Sequence, residues 1–152
     1  MHGYFDAKDG NPKIVLEIKG TKKGVKKQIA ALFDTGHSGS ISLPILDLIE
    51  IGAKLSSVGQ AELADGFKKP QLYFSVKVII DGVEKEVEAA LIENSEVNEA
   101  IVGLELFSPY IAVVDFKNKS LAFIKEEDLQ KMKQIEKKDQ TQPKKLEKEK
   151  GV

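Results

Sequence analysis

The chain has 152 residues, 41% of them hydrophobic, and carries 23 basic and 24 acidic side chains for a formal net charge of -1 at pH 7. Length and composition predict one domain with a packed core, and the nearly balanced charge argues against a nucleic-acid partner. The absence of cysteine excludes thiolate catalysis, cysteine zinc sites and disulfides, and the absence of arginine excludes bidentate arginine clamps on phosphate or carboxylate.

The first half of the chain predicts three strands and one helix. A polar segment at 1–12 ends in the turn residues Asp9-Gly10-Asn11-Pro12. Short apolar runs then predict strands, the first two forming a hairpin. Pro44 suits a first helical turn and Gly52 a stop, so a helix is expected over 44–51. The predicted strands of this half are 13–19, 25–33 and 41–43.

The second half predicts a succession of hairpins. Asp65-Gly66 and Asp81-Gly82 stand between strand-like runs, which is a hairpin signal. A brief helix is expected at 104–107. Many short strands with regular turns and one or two short helices describe an all-β, barrel-like domain. The predicted strands are 60–63, 71–80, 83–92, 111–116 and 120–124, and 100–103 is a short apolar run.

The most informative stretch is Ala30-Ala31-Leu32-Phe33-Asp34-Thr35-Gly36-His37-Ser38. An apolar run that ends in small polar residues predicts a buried strand followed by a turn, with Asp34 at the mouth of the strand. A carboxylate beside the core costs free energy unless it is hydrogen-bonded or shares a proton. Asp-Thr-Gly by itself is typical of an ordinary turn, so the motif needs further support.

The tail at 125–152 differs in composition from the rest of the chain. Leu129, Met132 and Ile135 recur at three-residue spacing in a segment rich in lysine and glutamate. This apolar stripe is narrow, so a frayed helix with a disordered end is favoured over a partner-binding helix. The expected organisation is an N-terminal segment at 1–12, one domain at 13–124 and the tail.

The sequence predicts no metal site, no cofactor and no membrane partner. The two histidines, His2 and His37, lie far apart in the sequence, and a metal site or a Ser-His-Asp triad would have to use one of them. We find neither an apolar run of membrane-spanning length nor a signal-peptide pattern at the N-terminus. We therefore expect a cytoplasmic protein.

Three segments, in this order, resemble a retropepsin-like aspartic protease, the one-lobe type related to retroviral proteases. Residues 32–38 resemble its catalytic strand and loop, and Ala64-Asp65-Gly66 lies where the family has its flap. Residues 101–107 resemble the apolar-apolar-Gly motif and short helix that support the catalytic loop. Leu104 and Glu105 stand where many members carry Arg or Asp, and His37 stands where Ala or Ser is common. We expect His37 to face solvent in the loop.

The resemblance implies an all-β acid-protease barrel, one lobe per chain, that closes as a symmetric homodimer. It implies an aspartic endopeptidase in which a pair formed by Asp34 and its copy activates water against a polypeptide substrate. Thr35 would lock the two loops together, and Ser38 would donate a hydrogen bond to Asp34. Gly36 would leave room for substrate, and its backbone would orient the Asp34 carboxylate. The substrate-binding flap would comprise Leu63, Ala64, Asp65, Gly66 and Phe67.

The homodimer also follows from the chemistry, because aspartic proteolysis needs two adjacent carboxylates and the chain has one Asp-Thr-Gly. Asp9, Asp65 and Asp81 precede glycines but lack the preceding apolar strand and the threonine. Two alternatives stay open. One is a catalytically silent peptide-binding or dimerisation module of the same fold. The other is an unrelated small β-barrel in which Asp34 caps a turn.

Overall fold

The structure is a computed structural model that describes residues 1–22, 25–94 and 96–141. Within these residues the chain is mostly strand, and no helix is both long and apolar enough to cross a membrane. The strands are β1 (His2–Phe5), β2 (Pro12–Gly20), β3 (Lys26–Phe33), β4 (Ile41–Pro44), β5 (Lys54–Glu62), β6 (Lys68–Ile80), β7 (Val83–Ile92), β8 (Ala100–Val102), β9 (Tyr110–Asp115) and β10 (Ser120–Lys125). The helices are α1 (Ile45–Glu50), α2 (Leu104–Phe107) and α3 (Glu126–Thr141).

Six of the strands close into a barrel. They pair in the order β6-β7-β4-β8-β3-β2, and a further pairing of β2 with β6 completes the ring. Two of these pairings are parallel, β3 with β8 and β4 with β7, while the others are antiparallel. The expected all-β barrel with short helices is confirmed.

Alternating side chains fill the barrel. In β2, Ile14, Leu16 and Ile18 are buried, whereas Val15 between them is 46% exposed. A strand turns successive side chains to opposite faces, so this pattern fixes which face of β2 meets the core. From α1, Leu48 is buried against the same core.

Both predicted Asp-Gly hairpins are confirmed. Asp81 and Gly82 join β6 to β7 with φ angles of 50° and 77°. Two successive positive φ values are what a type I′ hairpin turn requires. Gly66, with φ of 83°, lies in the turn between β5 and β6.

Two strands differ from the prediction. β5 begins at Lys54, six residues before the predicted start at 60, and pairs with β6 along its length with one irregularity near Leu55. β1 was not predicted, because its four residues lack an apolar run. It forms by pairing with β2 on one side and β10 on the other, so the sheet continues as β1-β10-β9 beyond the barrel.

An ion cluster attaches the N-terminal segment to the barrel. The buried Lys13 ammonium lies 2.8 Å from a carboxylate oxygen of Asp6, 2.9 Å from Asp9 and 2.6 Å from Glu99. These hydrogen bonds raise the pKa of Lys13, the one to Asp6 most strongly. Glu99 belongs to the loop before β8, so the cluster joins the N-terminal turn to that loop.

The helix α3 follows β10 directly and contacts it. Leu129 is half-buried, whereas Met132 and Ile135 are 57% and 60% exposed. Among the described residues, the narrow apolar stripe is therefore mostly uncovered. The predicted disordered end of the tail lies at 142–152, outside the described residues.

Candidate active site

Asp34 follows the last residue of β3, at the end of the barrel where β3 runs parallel to β8. The Asp34 amide donates to the Val102 carbonyl oxygen at 3.0 Å, extending the pairing of the two strands by one step. Its side chain is half-buried. The predicted position of this carboxylate at a strand end is confirmed.

Aromatic packing fixes the end of β3. The buried Phe33 ring meets Phe107 of α2 and Phe123 of β10 edge to face, with centroid distances of 5.5 and 5.1 Å. Phe107 and Phe123 stack on each other at 4.4 Å. Such contacts add to the stabilisation from area burial, so the residue before Asp34 is held from two other elements. Sequence reasoning missed this cluster, because its members come from three distant segments.

The loop after Asp34 folds back on the carboxylate. The Gly36 amide donates to Asp34 Oδ1 at 2.8 Å, and the His37 amide donates to the Asp34 carbonyl at 3.2 Å. Thr35, Gly36 and Ser38 are all exposed at the surface of the loop. Among the hydrogen bonds of the described residues, none joins the predicted donor Ser38 to Asp34. The backbone amide of Gly36, rather than the Ser38 hydroxyl, donates to this carboxylate.

Gly103, the N-cap of α2, packs directly against this loop. Its amide donates to the Ser40 carbonyl at 3.0 Å, and the next amide, of Leu104, donates to the His37 carbonyl at 2.9 Å. A Cβ at position 103 would lie 2.3 Å from the carbonyl oxygens of His37 and Gly39. Only glycine leaves space for an approach this close. The predicted support of the loop by residues 101–107 is thus seen as hydrogen bonds and close packing.

His37 differs from the expectation of a solvent-facing residue. The side chain is half-buried, and its Nε2 lies 3.3 Å from the hydroxyl oxygen of Ser42 in β4. The ring also packs beside Gly103, where an added Cβ would lie 2.5 Å from His37 Cδ2. The sequence carries no signal for this arrangement, because Ser42 and Gly103 are brought to the loop only by the folded barrel.

The residues predicted as a flap form the tip of the β5–β6 hairpin. The Leu63 amide donates to the Phe67 carbonyl at 2.8 Å, and the Phe67 amide donates to Asp65 Oδ1 at 3.0 Å. All five residues from Leu63 to Phe67 are exposed, Phe67 by 72%. Within the described residues, no hydrogen bond joins this tip to the Asp34 loop.

A cavity of about 490 Å³ opens beside the Asp34 loop. Its lining is largely polar and comes from the loop, from β6 and β7, and from α2. The charged and titratable residues that line it are His37, Tyr73, Lys85, Glu86, Glu88 and Glu105. In the part of the chain that the structure describes, no group of three or more histidine or acidic side chains is arranged to hold a metal ion.

No protein-family model matches the chain, and no curated protein matches it. Among solved structures, the chain is similar to one described as EIAV protease complexed with the inhibitor HBY-793. The two share 14% sequence identity, with 68% of this chain and 90% of that chain covered, and the TM-score is 0.46.

Proposed function

We propose that the protein is an aspartic endopeptidase whose active site forms between two copies of the chain. The observation that carries the proposal is the setting of Asp34. Its carboxylate stands at the end of a buried strand, in a loop that Gly36 closes by donating to Oδ1 at 2.8 Å. A carboxylate that only capped a turn would need neither the aromatic packing of Phe33 before it nor the close packing of Gly103 against its loop.

The chemistry requires a second carboxylate. In aspartic proteolysis an ionised carboxylate takes a proton from water, while a protonated one polarises the peptide carbonyl. Two such groups in contact share one proton and titrate as a pair. Asp65 and Asp81 lie in hairpin turns at β5–β6 and β6–β7, so we propose that the second carboxylate is Asp34 of another copy, related by a two-fold axis.

The proposed substrate is an extended polypeptide. The tip of the β5–β6 hairpin presents two exposed apolar side chains, Leu63 at 42% and Phe67 at 72%. We propose that this hairpin closes over the peptide, excludes water from the carboxylate pair, and binds the peptide backbone as an added strand. The exposed Thr35 would then face its counterpart across the dimer axis.

Cleavage of an unstructured protein substrate by wild type and Asp34→Asn tests this function. The amide keeps the shape of the side chain and removes the charge and the shared proton. We expect cleavage to fall by several orders of magnitude, about 10³-fold or more, with the fold retained. The assay should run from about pH 4 to 7.5, and we expect activity to peak on the acid side of neutral, where a carboxylate pair can hold one proton. Equal cleavage by both proteins would exclude Asp34 as the catalytic group.

The catalytically silent module is the second outcome of the same experiment. If neither protein cleaves, while both are folded and associate, a peptide-binding or dimerisation role replaces the enzymatic one.

A further inference from the structure

The His37 ring occupies a slot between two glycines. A Cβ at Gly103 would lie 2.5 Å from His37 Cδ2, and a Cβ at Gly39 would lie 3.3 Å from Nε2. The first distance is shorter than carbon–carbon contact allows, so a side chain at position 103 and the present ring position exclude each other. The ring therefore packs closely against the backbone at Gly103 and beside Gly39.

Ser42 contacts the ring at Nε2. Its hydroxyl lies 3.3 Å from His37 Nε2, and the residue is 7% exposed. Ser42 belongs to β4, where it pairs with Ile101 of β8 and Ala90 of β7. A buried hydroxyl costs free energy when it loses its partner, so the contact binds the ring to the wall of the barrel.

The backbone of His37 connects the ring to Asp34. Its amide donates to the Asp34 carbonyl at 3.2 Å, and its carbonyl accepts from the Leu104 amide at 2.9 Å. Gly36, the residue immediately before His37 in the chain, supplies the amide that binds Asp34 Oδ1. The His37 backbone is therefore part of the hydrogen-bonded loop that orients the carboxylate.

We propose that His37 is a positioning residue for Asp34, and that its ring, clamped between Gly103 and Ser42, sets the geometry of the Asp34 loop. The proposal rests on the proposed function to the extent that Asp34 is catalytic. The imidazole acts through its shape and the Nε2 contact, and it transfers no proton. A side chain that reaches Ser42 without titrating should therefore replace it in part.

The test compares five single variants: His37→Ala, His37→Asn, His37→Gln, Ser42→Ala and, as the matched control, His2→Ala at an exposed histidine of β1. The terminal amide of glutamine reaches about as far as Nε2, whereas asparagine is one methylene shorter. Two quantities are measured in each folded variant. One is kcat and KM for peptide cleavage, and the other is hydrogen-exchange protection of the Gly36 and Leu104 amides.

We expect kcat to fall about 10- to 100-fold in His37→Ala and His37→Asn, with KM within about twofold, because a misplaced catalytic group slows the chemical step. His37→Gln should recover much of the loss, and His2→Ala should behave as wild type. Ser42→Ala should lower kcat. The double variant Ser42→Ala/His37→Ala should lose little more kcat than His37→Ala alone, since the two side chains act through one contact. Hydrogen-exchange protection of the Gly36 and Leu104 amides should follow the order of the kcat values. It should be low in His37→Ala and His37→Asn, largely recovered in His37→Gln and as in wild type in His2→Ala.

Wild-type kcat in a folded His37→Ala variant, or glutamine no better than asparagine, would overturn the proposal. If the wild type cleaves no peptide, the proposed function fails, and hydrogen exchange alone decides the positioning role. Unchanged protection of Gly36 and Leu104 in His37→Ala would then refute it, whereas lost protection restored by glutamine would support it.

Discussion

Among the glycines of the candidate site, Gly103 has the closest neighbours. We expect Gly103→Ala to destabilise the fold by about 1–3 kcal/mol, as overpacking does, and to displace the Asp34 loop, because its Cβ would meet two carbonyl oxygens at 2.3 Å. Thermal unfolding of Gly103→Ala measures the loss of stability. Peptide cleavage per folded molecule measures the effect of the displaced Asp34 loop on activity.

Gly20→Ala is the matched control. A Cβ at Gly20 would lie 2.3 Å from the Ile51 carbonyl oxygen, in a different part of the barrel. This variant should lose comparable stability but keep its activity per folded molecule. Equal activity per folded molecule in Gly103→Ala and Gly20→Ala would contradict the role of Gly103 in supporting the Asp34 loop.

The Lys13 cluster predicts how stability depends on pH. The Lys13 hydrogen bond, followed by the Lys8 amide, lowers the pKa of Asp6, while the Asn11 amide and then Lys13 lower the pKa of Asp9. A carboxyl with a depressed folded pKa stabilises the fold above its unfolded pKa of about 4, and that contribution is lost as pH falls through the folded value. The unfolding temperature of wild type should therefore fall between about pH 4 and 2.

Lys13→Met should flatten this acid dependence. The variant loses the ion pairs at neutral pH and leaves three neighbouring carboxylates, whose repulsion is relieved by protonation. Its unfolding temperature should be lower than wild type at about pH 7 and approach it near pH 2, below ordinary carboxyl pKa values. Lys26→Met, which removes an exposed pair with Glu17, is the control and should leave the profile almost unchanged. Parallel profiles for wild type and Lys13→Met would contradict the assignment.

At the scale of elements, local patterns in the sequence predicted most of the barrel. The apolar run within 13–19 and the Asp-Gly turns are local signals, and the structure confirms both. β1 and the first residues of β5 had no such signal, because they become strands only by pairing with neighbours that are distant in the sequence. In the candidate site, Asp34 was predictable from the strand before it, whereas the His37–Ser42 contact and the Phe33 cluster depend on tertiary packing.

The β5–β6 hairpin yields a prediction at this scale. Phe67 is 72% exposed at the tip, so Phe67→Ser should change the unfolding temperature by less than about 2 °C, as expected for a surface substitution. If the tip covers the peptide, KM should rise. Val83→Ser is the matched control, because Val83 is 61% exposed beside the turn of the neighbouring hairpin. A KM that changes equally in both variants would argue against the tip as a substrate-binding element.

At the scale of the whole molecule, α3 contacts β10 and leaves Met132 and Ile135 exposed. We expect a chain ending at Lys125 to keep the barrel, because the buried core lies within residues 14–123. Circular dichroism and sedimentation of the shortened chain measure this. Loss of self-association in the shortened chain would assign α3 to an interface instead.

The central claim is that one active site uses Asp34 from two copies, and mixing of subunits tests it most directly. Wild type and Asp34→Asn are combined at constant total concentration, allowed to exchange, and assayed for peptide cleavage. If only the pair of wild-type chains is active, activity falls with the square of the wild-type fraction, to about one quarter in an equal mixture. A linear fall, to about one half in that mixture, would mean that each chain works alone and would contradict the shared site.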